Sequence, residues 1–212
     1  MILRGLEARL DNNMQKDEVL IDLIIPKQQK IIIALVQDTI LVFTFTFLTA
    51  IFAKMKIEIG PVPITGQTFA VMLSGIILGS LRGTFSQIFY LSLGLAGLPF
   101  FARGGGAQYI LSPTFGYVVG FIFCAFLVGR LSEKGWIKTF RKSILAMAIG
   151  NILIYFFGLG WLAKFISFKD ILRVGLLPFL LGDLIKIILA ASIAPFSWGL
   201  VNKFKGQKVN NF

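Results

Sequence analysis

Two opposite charges stand inside an apolar stretch near the C-terminus, between Leu176 and Trp198. Asp183 and Lys186 are three residues apart, so a helix would place both on one face within reach of each other. Ionisable side chains at membrane depth are costly and usually face a protein interior or a watery cavity. The two charges either neutralise each other as an ion pair or bind a polar ligand. In a ligand site Asp183 would accept from an N–H group, and Lys186 would donate to a C=O group.

The composition places this apolar stretch in an integral membrane protein. Of the 212 residues, 56% are hydrophobic and 15% are charged, whereas a soluble domain has about 45–50% apolar and about 25% charged residues. Long apolar runs recur along the chain, which predicts an all-α fold with one membrane domain. The net charge of +11 comes from loops between apolar runs, which favours membrane orientation over nucleic-acid binding.

Several classes of chemistry are disfavoured by what the chain lacks. It contains no histidine, which excludes histidine acid–base catalysis and histidine metal ligands. Its single cysteine, Cys124, cannot form an internal disulfide and makes a poor metal site. Carboxylates are few, and no nucleotide-binding motif is present. We therefore expect no enzymatic activity, no metal and no cofactor, and any energy for transport must come from a partner or a gradient.

Six transmembrane helices are predicted, at about 31–53, 65–81, 84–98, 112–131, 144–165 and 176–198, with a tight turn at Arg82–Gly83. This topology leaves fourteen Lys and Arg residues on the side of the termini and six on the other, so both termini are expected in the cytoplasm. Residues 1–30 are predicted to be a polar cytoplasmic tail, 31–200 the six-helix membrane domain that binds substrate, and 201–212 a basic cytoplasmic tail. Within the first tail, helical spacing of apolar residues permits a surface amphipathic helix; these residues are Leu3, Leu6, Leu10 and Met14.

Polar side chains inside the other spans are further candidates. Gln67 lies in the first turn of the second span, where it could contact a ligand. Gln87 and Tyr90 share a face of the third span, and their partners are either another helix or a substrate. Asn151 and Tyr155 also share a face, four residues apart in the fifth span, but they are not among the candidate ligand contacts.

The least regular part of the chain contains three consecutive glycines, Gly104 to Gly106, which cannot hold a helix. Non-helical backbone at membrane depth is tolerated only inside protein or beside a cavity. Arg103 stands immediately before the glycines and could bind a carboxylate through bidentate hydrogen bonds. The alternative is a solvated loop arginine.

Four motifs occur in a fixed order: PVPITGQTFAV at 61–71, GLPFF at 97–101, SPTFGY at 112–117 and PFLLGDLIK at 178–186. Their order and spacing resemble the BioY family, the biotin-binding S-components of energy-coupling factor (ECF) vitamin transporters. The resemblance extends over about 34–195. It implies a six-helix plasma-membrane protein that captures biotin outside and passes it inward. The implied partners are membrane lipid, a transmembrane coupling protein and two ATPase subunits, while some members act alone.

The resemblance also suggests how biotin would be held. Asp183 would accept from the N–H groups of the ureido ring, Lys186 would donate to the ring carbonyl, and Arg103 would bind the valerate carboxylate. Gln87 or Tyr90 would complete the polar shell. Gln67 and Tyr109 are the remaining expected contacts.

A second hypothesis is a self-sufficient carrier of biotin or of another small organic anion, working without ATPase partners. No inverted repeat is evident in the sequence, which counts against a two-fold repeat carrier.

Overall fold

The computed structural model describes residues 19–25 and 30–209, and helices dominate this part of the chain. The helices are α1 (Leu20–Ile24), α2 (Ile31–Lys54), α3 (Gln67–Leu95), α4 (Phe115–Glu133), α5 (Phe140–Leu162), α6 (Ile171–Gly175) and α7 (Leu180–Val209). Two short strands, β1 (Lys56–Ile57) and β2 (Ile64–Thr65), pair antiparallel between α2 and α3. Single 3₁₀ turns occur at Ala107–Leu111, Trp136–Lys138, Phe168–Asp170 and Leu177–Phe179.

Five stretches of the described chain are long and apolar enough to cross a membrane: Ile31–Lys54, Gln67–Leu95, Phe115–Glu133, Phe140–Leu162 and Phe168–Ile193. Large apolar side chains such as Ile32, Phe156 and Leu181 point outward, with more than 70% of their surface exposed. Such a surface suits lipid tails rather than water. The prediction of an all-α membrane protein is therefore confirmed.

Helix α3 is two antiparallel halves rather than one rod. Gly79 interrupts the helix with φ +80° and ψ −172°, a conformation that favours glycine. The side-chain amide of Gln67 on the first half donates to the hydroxyl of Tyr90 on the second. Closer to the turn, Gln87 Nε2 donates to Ser74 Oγ over 3.2 Å. These cross-contacts show that the chain reverses direction at Gly79.

The predicted turn at Arg82–Gly83 is wrong by about one helical turn, because both residues are helical. Gly83 serves close packing instead of chain reversal. A side chain there would come within 3.0 Å of the Ser74 carbonyl oxygen on the other half. Small residues let helices approach closely in this way.

Glu133, at the end of α4, fixes the reversal. Its Oε1 accepts hydrogen bonds from the backbone N–H of Ser80 (2.7 Å) and from the Ser80 hydroxyl (2.6 Å). The second half of α3 starts at this point, and a carboxylate there satisfies a free backbone N–H and the positive end of the helix dipole.

Residues just before α2 close the same end of the bundle. Val19, Leu20 and Ile21 are buried. Arg82 links this segment to α2, because its guanidinium lies 2.7 Å from both Asp22 and Asp38. The predicted amphipathic positions Leu3, Leu6, Leu10 and Met14 lie outside the described residues.

We predict that Gly79→Ala destabilises the protein by about 1–3 kcal/mol, since alanine strains at positive φ and would press on Val19. Thermal unfolding in detergent measures the effect. Gly160→Ala is the matched control, because Gly160 is helical with open space around it. An equal melting temperature for both variants would show that Gly79 does not hold the turn.

Candidate functional site

A cavity with about 520 Å³ of empty space, part of it open to solvent, lies where α3, α4 and α7 begin, at the opposite end from Gly79. Its apolar wall includes Val62, Pro63, Val118, Phe121, Ile154 and Phe179. Its polar lining includes Gln67, Thr68, Tyr109, Asn151, Tyr155, Asp183 and Lys186. Ligand sites usually combine a mostly apolar wall with a few converging polar groups in this manner.

Asp183 is the centre of the polar lining, and only 4% of its surface is exposed. Its Oδ1 lies 3.1 Å from Lys186 Nζ and 3.5 Å from the Thr68 hydroxyl. Its Oδ2 accepts from the Asn151 amide over 3.0 Å and from the Tyr155 hydroxyl. The ion pair is therefore formed, as the spacing predicted, and it also lines a cavity.

Three helices bring these groups together, and Thr68 comes from the first turn of α3. Asp183 lies in the first turn of α7, where the helix dipole favours a carboxylate, and Lys186 follows one turn later. Asn151 and Tyr155 occupy successive turns of one α5 face. Asn151 can also accept a hydrogen bond from a ligand, because its buried Oδ1 accepts none from the described part of the chain.

Gln67 and Tyr109 also line the cavity. The amide of Gln67 donates to Tyr90, and its Oε1 accepts from the Thr65 hydroxyl over 2.8 Å. Tyr109 stacks on Phe101 with ring centroids 4.0 Å apart. Both side chains are thus held in place at the cavity surface.

Tyr90 and Gln87 are fully buried and lie outside the cavity lining. The Tyr90 hydroxyl donates to the Phe100 carbonyl over 3.2 Å, so it supports Gln67 from behind. Gln87 donates to Thr49 of α2 and to Ser74 of the other α3 half. Of the two partners considered for Gln87, the described contacts are with helices.

Arg103 stands in the irregular loop predicted from the three glycines, and it is not part of the cavity lining. Its guanidinium binds Glu58, with Nη2–Oε2 2.5 Å and Nε–Oε2 3.1 Å. It also donates to the carbonyls of Gly60 and Pro61. Hydrogen bonds from Arg103 and then Lys56 lower the pKa of Glu58 to about 2. Ala102, next to Arg103, does line the cavity.

Sequence reasoning left Asn151, Tyr155 and Thr68 out of the candidate site. A signal existed for the first two, because two polar side chains one turn apart in an apolar span need partners. Thr68 carries no such signal, since a threonine in a first helical turn is ordinary. Within the described residues, no group of three or more His, Cys, Asp or Glu side chains could hold a metal ion.

The model of the BioY family matches residues 23–203. The chain belongs to the BioY family. The predicted family is thereby confirmed, over nearly all of the membrane domain.

Two BioY relatives align with this chain over most of their own length. The chain is 37% identical to the probable biotin transporter BioY of Pyrococcus horikoshii, over 74% of this chain and 94% of the relative. It is 41% identical to the biotin transporter BioY of Thermotoga maritima, over 71% of this chain and 89% of the relative.

A solved structure has the same fold. It is the crystal structure of the S-component for biotin from an ECF-type ABC transporter, with a TM-score of 0.68 and 34% identity. The match covers 76% of this chain and 89% of the solved chain.

We predict a strong energetic coupling between Asp183 and Lys186. In a double-mutant cycle with Asp183→Asn and Lys186→Met, the coupling free energy of unfolding should be about 2–3 kcal/mol, because each single variant leaves a partner poorly compensated in a buried place. Detergent unfolding curves measure it. The control is the Arg130–Glu133 pair, also three residues apart but with the arginine side chain 56% exposed; its coupling should stay below about 1 kcal/mol. Equal couplings would contradict a buried, mutually dependent pair.

Proposed function

We propose that this chain binds biotin and mediates its uptake as the substrate-binding S-component of an ECF transporter. The observation that carries the proposal is the Asp183–Lys186 pair at the polar end of a largely apolar cavity. Biotin has a matching division, with a polar ureido ring fused to an apolar sulfur-containing ring that carries an apolar chain ending in a carboxylate.

Lys186 supplies the donor for the ring carbonyl, because an ammonium group has three N–H bonds. Two of them are engaged by Asp183 and Thr68, which leaves one. The ring N–H groups need two acceptors. Asp183 Oδ1 provides one, since its contact with Thr68 is long at 3.5 Å. The unpartnered Oδ1 of Asn151 provides the other.

The valerate chain extends from this polar end towards the loops. Val62, Ala102 and Tyr109 line that part of the cavity. Arg103, which follows Ala102, and Gln67, which itself lines the cavity, can donate to a carboxylate. Tyr90 and Gln87 act indirectly, because the first positions Gln67 and the second joins helices.

The reversal in α3 supports six membrane crossings, with both termini in the cytoplasm. The halves of α3, 67–78 and 80–95, are only about 18 and 24 Å long at 1.5 Å per residue, shorter than a hydrocarbon core of about 30 Å. Loops 56–66 and 96–106 occupy the remaining depth, and they cover the cavity from outside. This orientation agrees with the excess of Lys and Arg on the side of the termini.

Energy comes from partners in this proposal. The sequence has no nucleotide-binding motif, and a neighbour of the same fold is an S-component of an ECF-type ABC transporter. A transmembrane coupling protein and two ATPase subunits would complete the transporter.

Equilibrium binding of biotin to the purified protein tests the substrate. Asp183→Asn and Lys186→Met should each weaken binding by about 30- to 1000-fold, or roughly 2–4 kcal/mol, because a buried partner is left unpaired. Asp170→Asn and Lys169→Met are the controls, being the same substitutions at exposed positions, and should leave the affinity unchanged. Normal binding by both cavity variants would exclude the site.

Uptake of labelled biotin by cells tests the energy source. When the chain is expressed with a coupling protein and ATPase subunits, an inactivating substitution in the ATPase should abolish the added uptake. Equal uptake with active and inactive ATPases would favour the self-sufficient carrier.

A further inference from the structure

Arg103 is presented at the tip of a tight turn. Phe101 and Gly104 exchange backbone hydrogen bonds of 2.8 and 3.2 Å, and Gly104 adopts φ +112°. The guanidinium of Arg103 therefore projects from a short, defined loop. The Arg103 side chain is 35% exposed, so it is accessible to a solute.

Glu58 occupies the edge of this guanidinium that a free carboxylate would use. Nε and Nη2 of Arg103 both donate to Glu58 Oε2, while Lys56 Nζ lies 2.9 Å from Oε1. Arginine binds carboxylates through neighbouring N–H groups of this kind. The carbonyls of Gly60 and Pro61 take other N–H groups of Arg103.

The ion pair between Glu58 and Arg103 can be broken by a competing carboxylate. Its side chains are 35% and 45% exposed, and ion pairs with such exposure contribute little net stability. Protonation does not separate Glu58 from Arg103 near neutrality, because the pKa of Glu58 is lowered to about 2 and the carboxyl is charged there. A competing carboxylate is therefore the natural means of displacing Glu58.

The position of the pair connects it to the cavity. Ala102 precedes Arg103 and Val62 follows Pro61, and both line the cavity. A ligand whose ring lies at Asp183 and whose chain extends towards these residues would bring its free end close to the loop that carries Arg103.

We propose that Glu58 is an internal competitor for the ligand carboxylate, holding Arg103 until an anionic ligand replaces it. The inference rests on the proposed function. It makes Glu58 a specificity-determining residue, since the competition acts only on ligands that carry a carboxylate. A ligand without that charge leaves the Glu58–Arg103 pair in place.

Binding of biotin and of biotinamide to the purified protein separates this role from others. Glu58→Gln keeps the shape and removes the charge, so it should tighten biotin binding by about 3- to 10-fold, the size of one exposed charge interaction. Biotinamide binding should change less than about 2-fold. Arg103→Gln should weaken biotin binding towards the level of biotinamide, and Glu58→Gln should give no gain in that background.

Asp170→Asn is the control for a general change in charge, because Asp170 is exposed and lies outside the cavity lining. It should affect neither ligand. If Glu58→Gln changes the affinity for both ligands equally, or weakens binding of both, the Glu58–Arg103 pair only joins the two loops and the proposal is wrong. If the unaltered protein binds neither ligand, the proposed function fails and this inference fails with it. If it binds both and Glu58→Gln does not separate them, only the Glu58 proposal fails.

Discussion

A buried carboxylate cannot remain in an apolar bundle without compensation, and this constraint shapes the site end of the structure. Asp183 is satisfied by groups from three helices. Thr68 belongs to α3, Asn151 and Tyr155 belong to α5, and Lys186 lies on α7 itself. These side chains must converge, and helices that meet through long polar groups cannot pack as closely as helices that meet through glycine. The cavity lies where this convergence occurs.

At the opposite end of the bundle, glycines let the two halves of α3 approach closely, and hydrogen bonds join α3 to α4. The chain reverses at Gly79, and Glu133 of α4 binds the start of the returning helix. Loop residues Val62, Pro63 and Ala102 line the cavity together with residues of the helices. The same reversal brings Tyr90 behind Gln67, so one feature positions both a cavity side chain and its support. Fold and site are thus joined through α3.

Part of this arrangement could be predicted from the sequence. Composition predicts an all-α membrane fold. The spacing of Asp183 and Lys186 predicts that they share a helix face and form an ion pair. Three glycines in a row are enough for an irregular loop. Each of these features depends on local geometry or on total apolarity. Four motifs in order then led to the BioY family, which the family model confirmed.

What could not be predicted depends on long-range packing. Hydropathy does not distinguish a glycine that turns the chain from one that lets helices approach, so the turn was expected at Gly83 instead of Gly79. The spacing of Gln87 and Tyr90 shows that they share a helix face but not what packs against that face. The Gln87 amide donates to side chains of neighbouring helices. Glu58 and Arg103 are 45 residues apart, and no local pattern connects them.

The central claim is that the buried Asp183–Lys186 pair recognises the ureido ring. A structure of the protein with biotin bound tests it most directly. The account predicts the ring carbonyl within about 3 Å of Lys186 Nζ and a ring nitrogen within about 3 Å of an Asp183 oxygen. A ring bound elsewhere, with Asp183 and Lys186 still engaged only with protein groups, would contradict it.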